Sequence, residues 1–239
     1  MNNYLSIVLP CYNPREDWAR VVMDNVAFIE QSVGPVEVVV VNDGLTRDLT
    51  EDVEFLNVHL KSFRFISYPE NKGKGFATRQ GLQAATGHLI IYTDIDFPYT
   101  RDSFLDLYEA LKHNNIVIGI KDIEYYKTVP LLRKWVSKSL RWMSAKLLNI
   151  HITDTQCGLK GMHNSAKEIW LMGKVNRYLF DLEAIYNGEK AGYKIVALPV
   201  RLREGVVFSK LKFSILFSEI MNFLFIMPKI FSTKTSQKK

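Results

Sequence analysis

The run from residue 36 to residue 41 constrains the fold most strongly, because five of its six residues are valine. β-Branched side chains favour strands over helices. A strand with one wet face alternates apolar and polar residues, whereas a nearly continuous apolar run is typical of a strand covered on both faces. We therefore predict a buried parallel strand here, and with it an α/β protein.

Further strand-like and helical patterns alternate along the chain. Proline follows the apolar part of the first strand, and Asn13-Pro14 is typical of a helix start, with Asn13 as N-cap. Thr100 is expected to cap a later helix over residues 101–112. The remaining predicted strands are 5–10, 63–68, 88–93 and 116–120, and another helix ends at Ala85. This alternation predicts right-handed βαβ units and a mostly parallel, Rossmann-like sheet flanked by helices.

Ligands of such sheets bind beyond the carboxyl ends of the strands. The predicted loops at that edge are 11–13, 42–44, 71–75 and 94–96. In extended chain, residues i and i+2 face the same way, so Asp94 and Asp96 present two carboxylates to one point. Hard carboxylate oxygens suit Mg²⁺ or Mn²⁺. The pair predicts a metal site; the alternative is a turn with two solvated acids.

The loop Asn71-Lys72-Gly73-Lys74-Gly75 combines glycine with positive charge. Its glycines permit a close backbone approach to a ligand, and Lys74 and Arg79 bring charge toward phosphates; the alternative is a basic helix start at the surface. The spacing is not that of a Walker A loop, and no G-x-G-x-x-G follows the first strand, which disfavours NTPases and dinucleotide folds. Asp43 is expected to accept hydrogen bonds from a nucleobase, although Asn-Asp-Gly also forms simple turns.

Charge and cysteine content narrow the partners and the compartment. A formal net charge of +6 favours acidic partners such as phosphorylated substrates or anionic lipid, and no base-stacking motif supports nucleic-acid binding. Cys11 and Cys157 lack C-x-x-C spacing, which excludes a cysteine zinc site and indicates a reducing compartment. The first residues do not resemble a signal peptide, so we expect a location in the cytoplasm or on the cytoplasmic face of a membrane.

Together these loops resemble the signature loops of family 2 inverting glycosyltransferases with the GT-A fold, over about residues 4–210. The matching motifs are Leu9-Pro10-Cys11-Tyr12-Asn13, Val41-Asn42-Asp43-Gly44, Asn71-x-Gly-Lys-Gly75 and Asp94-x-Asp96. The resemblance implies that Asp94 and Asp96 hold Mg²⁺ or Mn²⁺. It also implies that the nucleotide sugar is bound by Pro10, Tyr12, Asn13, Asp43, Lys74, Arg79, Asp94 and Ile95. Two departures are Pro14, where the family often has Glu, and Asn42-Asp43-Gly44-Leu45 in place of Asp-Asp-Gly-Ser.

The second half resembles polyprenyl-phosphate glycosyltransferases, notably the dolichyl-phosphate glucosyltransferase type. The motifs are Asp154-Thr155-Gln156-Cys157-Gly158-Leu159-Lys160, Phe180-Asp181-Leu182-Glu183 and Ser209-Lys210-Leu211. The resemblance implies catalytic roles for Asp96, Asp154 and Asp181, and an acceptor-phosphate site formed by Arg133, Lys134, Gln156, Arg201 and Arg203. The alternatives are an ordinary acidic helix N-terminus at Phe180–Glu183 and solvated surface charge at the basic positions.

Two segments predict a membrane surface as partner. Residues 128–150 form a basic amphipathic pattern, for which a core-packed helix is the alternative. Residues 213–227 are apolar but shorter than the roughly 20 residues of a membrane span. We expect a glycosyltransferase domain over 1–210 and a membrane-interface helix within 211–239; a homo-oligomer interface is the alternative use of that apolar surface.

The expected function is inverting transfer of a sugar from a nucleotide donor to a polyprenyl phosphate. UDP-glucose is the favoured donor and GDP-mannose a possible one. A family 2 glycosyltransferase acting on a glycan or another non-lipid acceptor is the alternative enzyme. A nucleotide-sugar or membrane-binding module without turnover is the alternative outside enzymes, and the intact Asp94–Asp96 pair argues against it.

Overall fold

The computed structural model describes residues 4–44, 47–121, 151–152 and 154–206. The strands there are β1 (Leu5–Cys11), β2 (Val36–Asp43), β3 (Phe63–Tyr68), β4 (Leu89–Tyr92), β5 (Ile116–Lys121), β6 (Lys160–His163) and β7 (Ile195–Val200). The α-helices there are α1 (Trp18–Val33), α2 (Thr50–His59), α3 (Lys74–Ala84), α4 (Arg101–Leu111), α5 (Glu168–Leu171) and α6 (Phe180–Lys190). The predicted α/β class is confirmed.

The strands of the described residues form one sheet of order β3-β2-β1-β4-β6-β5-β7. Strand β6 is antiparallel to β4 and β5, and the other neighbouring pairs are parallel. Because Tyr92 pairs with Lys160, the start of β6 lies beside the end of β4. Six carboxyl ends and one amino end therefore share what we call the carboxyl edge, defined as residues 11–13, 42–44, 68–74, 93–97, 121, 154–159 and 200–203.

The valine-rich strand β2 is covered on both faces, as its composition predicts. Val38 and Val40 belong to a core cluster that includes α1 and α4, while Val39 and Val41 belong to a second cluster with α3 and α6. All four side chains are fully buried. The central part of the sheet is thus a middle layer between helices.

The predicted start of the first helix was wrong. Helix α1 begins at Trp18 with Asp17 as N-cap, and Asn13 has a φ of 49°. Asparagine tolerates this left-handed conformation better than most residues, so it turns the chain instead of capping a helix. As a result the loop after β1 is longer than predicted, and Tyr12 in that loop is 56% exposed.

Four of the described elements were not predicted, namely α2, α5, β6 and β7, and a helix start at α6 was given only as an alternative. Helix α2 buries only Leu56, so its apolar pattern is weak. Within the described part of the chain, no helix combines the length and apolar character that spanning a bilayer requires. The predicted helix over 128–150, the domain boundary at 210 and the membrane-interface helix within 211–239 lie outside the described residues.

Candidate active site

The D-x-D motif forms a tight turn directly beyond β4. The amide of Phe97 donates a hydrogen bond to the carbonyl of Asp94 at 2.9 Å. Phe97 has a φ of 44°, which is uncommon for a bulky residue, and its buried ring packs against Phe104 at 6.4 Å between centroids. The burial of Phe97 in the core thus anchors the turn that places Asp94 and Asp96 at the carboxyl edge.

The two carboxylates of this turn interact with each other and with nearby cations. Burial, and next the charge of Asp94, raise the pKa of Asp96; Arg203 and Lys74 act in the opposite direction. Lys74 forms an ion pair with Oδ1 of Asp94, and the two side chains are 24% and 38% exposed. The turn is therefore a half-buried anionic site that favours a cation.

A divalent cation suits this pair of carboxylates. Mg²⁺ and similar hard cations take oxygen ligands, and at phosphate sites one or two carboxylates commonly share the ion with substrate phosphates. Among the described residues no group of three or more His, Cys, Asp or Glu side chains is placed to hold a metal ion. The chemistry of Asp94 and Asp96 accordingly fits Mg²⁺ or Mn²⁺ bound together with a diphosphate.

Asp43, at the end of β2, organises the neighbouring glycine-rich loop. Its buried carboxylate accepts hydrogen bonds from the amides of Lys72 at 2.7 Å and Gly73 at 2.8 Å. It also accepts one from the side chain of Asn71 at 3.0 Å. Asp43 therefore fixes the backbone of the loop that leads into Lys74. Its contact with a nucleobase stays a prediction.

The glycines of this loop are needed for packing against another part of the protein. A Cβ atom on Gly73 would lie 2.5 Å from the carbonyl oxygen of Asn176, and one on Gly75 would lie 2.6 Å from Cβ of Phe180. The amide of Gly75 donates to the Asn176 carbonyl at 2.7 Å. The first turn of α3 is thus capped by protein, and the close approach expected for a ligand is made by residues 175–180.

Arg79 binds the same segment. Its guanidinium donates to the Val175 carbonyl at 2.8 Å and to the side-chain oxygen of Asn176. Glu183 accepts from the amides of Lys174 and Val175, each at 2.8 Å. Arg79 and Glu183 together hold residues 174–176 against α3, so a contact between Arg79 and a phosphate stays a prediction.

The Asp154–Gly158 segment meets the D-x-D turn at Gly158. A Cβ atom on Gly158 would lie 2.7 Å from Oδ2 of Asp94. The hydroxyl of Tyr99 accepts a hydrogen bond from the Gly158 amide at 2.8 Å, and the Cys157 thiol donates to it at 3.3 Å. Sequence reasoning missed Tyr99, which ties the two motifs together, because no local pattern distinguishes it.

Asp154 is buried and is bound to the end of β5. Its Oδ2 accepts a hydrogen bond from the Lys121 amide at 2.8 Å, and the Lys121 ammonium lies 3.8 Å from Oδ1. The adjacent Gln156 is half-buried, and its amide group donates to the Thr155 hydroxyl at 3.3 Å. Asp154 thus holds the segment that precedes β6 against the end of β5.

Asp181, at the start of α6, belongs to a buried hydrogen-bond network. Lys160 donates to its Oδ2 at 2.8 Å, and the Tyr92 hydroxyl donates to Oδ1. Trp170 donates to the Tyr92 oxygen at 3.0 Å, and Lys160 also binds the Cys157 carbonyl. Burial, and then the charge of Asp181, raise the pKa of Tyr92, which keeps its hydroxyl a donor. Sequence reasoning assigned no role to Lys160 or Tyr92.

Two of the predicted acceptor-site arginines follow β7, next to the D-x-D turn. The amide of Arg203 donates to the Pro98 carbonyl, and the amide of Thr100 donates to the Arg201 carbonyl, both at 2.9 Å. Both arginines are exposed, and the charge of Arg203 lowers the pKa of Asp96. Arg203 also borders an open cavity of about 390 Å³ between α1 and the start of α4. The other two predicted basic residues, Arg133 and Lys134, lie outside the described residues.

Residues 6–170 match the model of the family described as glycosyl transferase family 2. The chain belongs to this family. The order along the chain of the four loops at the carboxyl edge agrees with this membership. The predicted family is confirmed.

Curated relatives of this family 2 glycosyltransferase carry a more specific name. A dolichyl-phosphate beta-glucosyltransferase of Trichomonas vaginalis is 31% identical over 231 residues, covering 88% of this chain and 69% of the relative. A protein of the same name from Drosophila melanogaster is 28% identical, covering 84% of this chain and 67% of the relative. The chain thus aligns with about two-thirds of each relative.

Solved structures support the GT-A-like fold of this family 2 member. Glucosyl-3-phosphoglycerate synthase from Mycobacterium tuberculosis, in complex with Mn²⁺, UDP-glucose and phosphoglyceric acid, superposes with a TM-score of 0.65 at 16% identity. The match covers 90% of this chain and 74% of the synthase. The likeness at this identity concerns the fold.

The described site residues of this family 2 glycosyltransferase differ in their exposure and in their contacts. Tyr12 and Asn13 are exposed at the carboxyl edge, whereas Pro10 and Ile95 are buried. Lys74 pairs with Asp94. Burial, and then the charge of Asp94, raise the pKa of Asp96, whereas the charges of Arg203 and Lys74 lower it. Asp43, Asp154 and Asp181 are buried, hydrogen-bonded carboxylates.

Proposed function

We propose that the protein transfers glucose from UDP-glucose to a polyprenyl phosphate, with inversion at the anomeric carbon. The observation that carries this proposal is the contact of Gly158 with Asp94, because it joins the motif shared with polyprenyl-phosphate glycosyltransferases to the predicted diphosphate site. The names of the curated relatives support the same acceptor class and sugar. The experiment below also offers donors with another base or another sugar.

The proposed acceptor has the right charge for direct displacement. The second pKa of a phosphate monoester is about 6, so at neutral pH the group is largely dianionic and nucleophilic without a general base. Its oxygen forms a bond to the anomeric carbon while the bond from that carbon to the UDP oxygen breaks. Asp154 and Asp181 each accept hydrogen bonds from the protein, which supports a positioning role for both.

In this proposal, charged side chains of the carboxyl edge form the donor site. Asp94 and Asp96 would hold Mg²⁺ or Mn²⁺, and such an ion, when bound, supplies positive charge to the departing diphosphate. Lys74 adds a cation on the α3 side of the turn, and Arg203 adds one on the β7 side. In this proposal Tyr12 and Asn13 contact the nucleotide from the loop after β1.

A lipid acceptor also implies a membrane surface, since a polyprenyl chain resides in the bilayer. We propose that the reaction takes place on the cytoplasmic face, with basic residues meeting the lipid headgroups. The exposed Arg201 and Arg203 lie at the carboxyl edge, where the phosphate of such a lipid would have to arrive.

The experiment uses liposomes that contain a polyprenyl phosphate, the full chain, and UDP-glucose, UDP-galactose or GDP-mannose labelled in the sugar. A parallel reaction offers 3-phosphoglycerate as a soluble phosphate acceptor. We expect label to enter the lipid extract from UDP-glucose, with loss of the signal in EDTA. Asp96→Asn should lower this rate by at least about a hundredfold, because it weakens a ligand of the diphosphate-bound ion.

Asp106→Asn is the matched control, since Asp106 is an exposed acid on the same chain segment, in α4. It should retain the wild-type rate. Label found in water-soluble product alone would overturn the lipid acceptor, and transfer from GDP-mannose in place of UDP-glucose would overturn the donor. Transfer that survives EDTA would overturn the metal site.

A further inference from the structure

The ammonium of Lys74 is paired with one of the two carboxylates that are predicted to hold the metal. It forms an ion pair with Oδ1 of Asp94, while Oδ2 of the same carboxylate faces Gly158. A cation that binds through Asp94 must therefore compete with Lys74 for this side chain.

The position of Lys74 is set by the fold on both sides. Lys74 is the first residue of α3, and Asp43 holds the preceding loop through the amides of Lys72 and Gly73. On the other side, the amide of Gly75 is held by the Asn176 carbonyl. The ion pair between Lys74 and Asp94 is thus formed between two anchored segments.

Lys74 also carries a full positive charge. A lysine side chain ordinarily has a pKa of about 10.4, so at neutral pH it is an ammonium ion. That charge lies beside the Asp94–Asp96 pair, in the ion pair with Asp94.

We propose that Lys74 is the counter-ion of Asp94 in the nucleotide-free protein, so that the site takes up a divalent cation together with the diphosphate and poorly without it. A free cation has to displace the ammonium and leaves it without a partner. A diphosphate brings negative charge to which Lys74 can turn, and thereby releases Asp94 to the metal. The same residue then opposes the free ion and assists the metal–nucleotide complex. This inference rests on the proposed metal site.

The test measures binding alone. Mn²⁺ is titrated into the wild type, Lys74→Met and Lys72→Met, with free Mn²⁺ followed by electron paramagnetic resonance, with and without UDP. Lys72→Met removes the same charge two positions away, where the ammonium lies over the rings of Tyr68 and Phe76 at 5.6 Å and 5.0 Å. It is therefore a matched control for net charge.

Without UDP, we expect Lys74→Met to bind Mn²⁺ about fivefold more tightly than the wild type, as the loss of one competing ion pair allows. With saturating Mn²⁺, the same variant should bind UDP about fivefold more weakly. Lys72→Met should stay within about twofold of the wild type in both titrations. In an Asp94→Asn background, Lys74→Met should no longer tighten Mn²⁺ binding.

An unchanged or weaker affinity of Lys74→Met for Mn²⁺ in the absence of UDP would overturn the inference. If Lys74→Met is poorly folded by circular dichroism, Lys74→Gln takes its place with the same expectations. Because no acceptor is present, this failure is separate from that of the proposed function. Mn²⁺-dependent transfer to lipid with no effect of Lys74 on Mn²⁺ binding would leave the proposed function intact.

Discussion

Gly158 lies so close to Asp94 that a Cβ atom at position 158 would come within 2.7 Å of Oδ2 of the carboxylate. The two residues are 64 positions apart in the chain and meet because the antiparallel strand β6 starts beside the end of β4. Any side chain at position 158 must therefore push the Asp94 carboxylate aside.

Gly158→Ala should impair activity far more than stability. The displaced group is the end of a short side chain at the edge of the core, so we expect the melting temperature to stay within about 2 °C of the wild type. A misplaced carboxylate should lower kcat/KM for UDP-glucose by about tenfold to a hundredfold. Calorimetry and the lipid-transfer assay test the two parts. A kcat/KM equal to that of the wild type would contradict the role of Asp94 as a metal ligand.

Lys160→Met should strongly destabilise the fold, because it leaves the Asp181 carboxylate buried without its counter-ion. Lys160 is fully buried, and the side chain of Asp181 is 7% exposed. Breaking a buried pair by removing one partner costs about 3–5 kcal/mol. The double variant Lys160→Met/Asp181→Asn should recover part of this loss, as urea unfolding can measure. Equal or greater loss in the double variant would indicate that the pair is not coupled.

Arg79→Lys should loosen the segment around Val175 and Asn176 without a large effect on donor binding. A lysine cannot reproduce the fork with which Arg79 binds both acceptors. We expect faster amide hydrogen exchange at residues 174–177 and a KM for UDP-glucose within about threefold of the wild type. Glu183→Gln, which weakens the same segment from its other side, should produce a similar exchange pattern. A large rise in KM with unchanged exchange would instead favour a contact between Arg79 and the donor.

Both cysteines should resist alkylation in the folded protein. Burial, and then the charge of Asp43, raise the pKa of Cys11 to about 12 from 9.0, and burial raises that of Cys157. The thiolate is the reactive form, so at about pH 8 the reactive fraction of Cys11 is lowered roughly a thousandfold. Iodoacetamide followed by mass spectrometry should label neither thiol in native protein and both in guanidinium.

The same pKa shift has a consequence for stability. Because the folded state disfavours the Cys11 thiolate, the free energy of unfolding should fall as the pH rises from 9.0 toward about 12. Cys11→Ser should reduce this pH dependence. Rapid labelling of Cys11 in native protein would contradict its burial and its raised pKa.

Local patterns in the sequence were sufficient to predict β1 to β5, since uniformly apolar runs bounded by turn residues have few other solutions. Their alternation with helices correctly implied that the loops after four strands share one edge. Helix α2 escaped prediction because it buries little, and the start of α1 was misplaced because Asn13 adopts a left-handed turn.

The residues at the site divide in the same way. Asp94 and Asp96 were recognisable from their spacing beyond a buried strand, but the extended chain assumed for them was wrong, because the Phe97 amide closes a tight turn on the Asp94 carbonyl. The contacts of Asp154, Asp181 and the glycines were not recognisable, because each depends on a partner distant in the chain. Asp181 is bound by Lys160 and Tyr92, and Gly75 lies against Phe180.

The sequence by itself therefore determined the layered α/β architecture and the edge at which a ligand is expected, because hydrophobic periodicity and the alternation of strands with helices can be read along the chain. Only the tertiary structure decided that β6 runs antiparallel, that Gly158 abuts Asp94 and that Lys74 pairs with that carboxylate. Those relationships arise from close packing between segments far apart in the chain, and short-range patterns carry no information about which distant atoms will be neighbours.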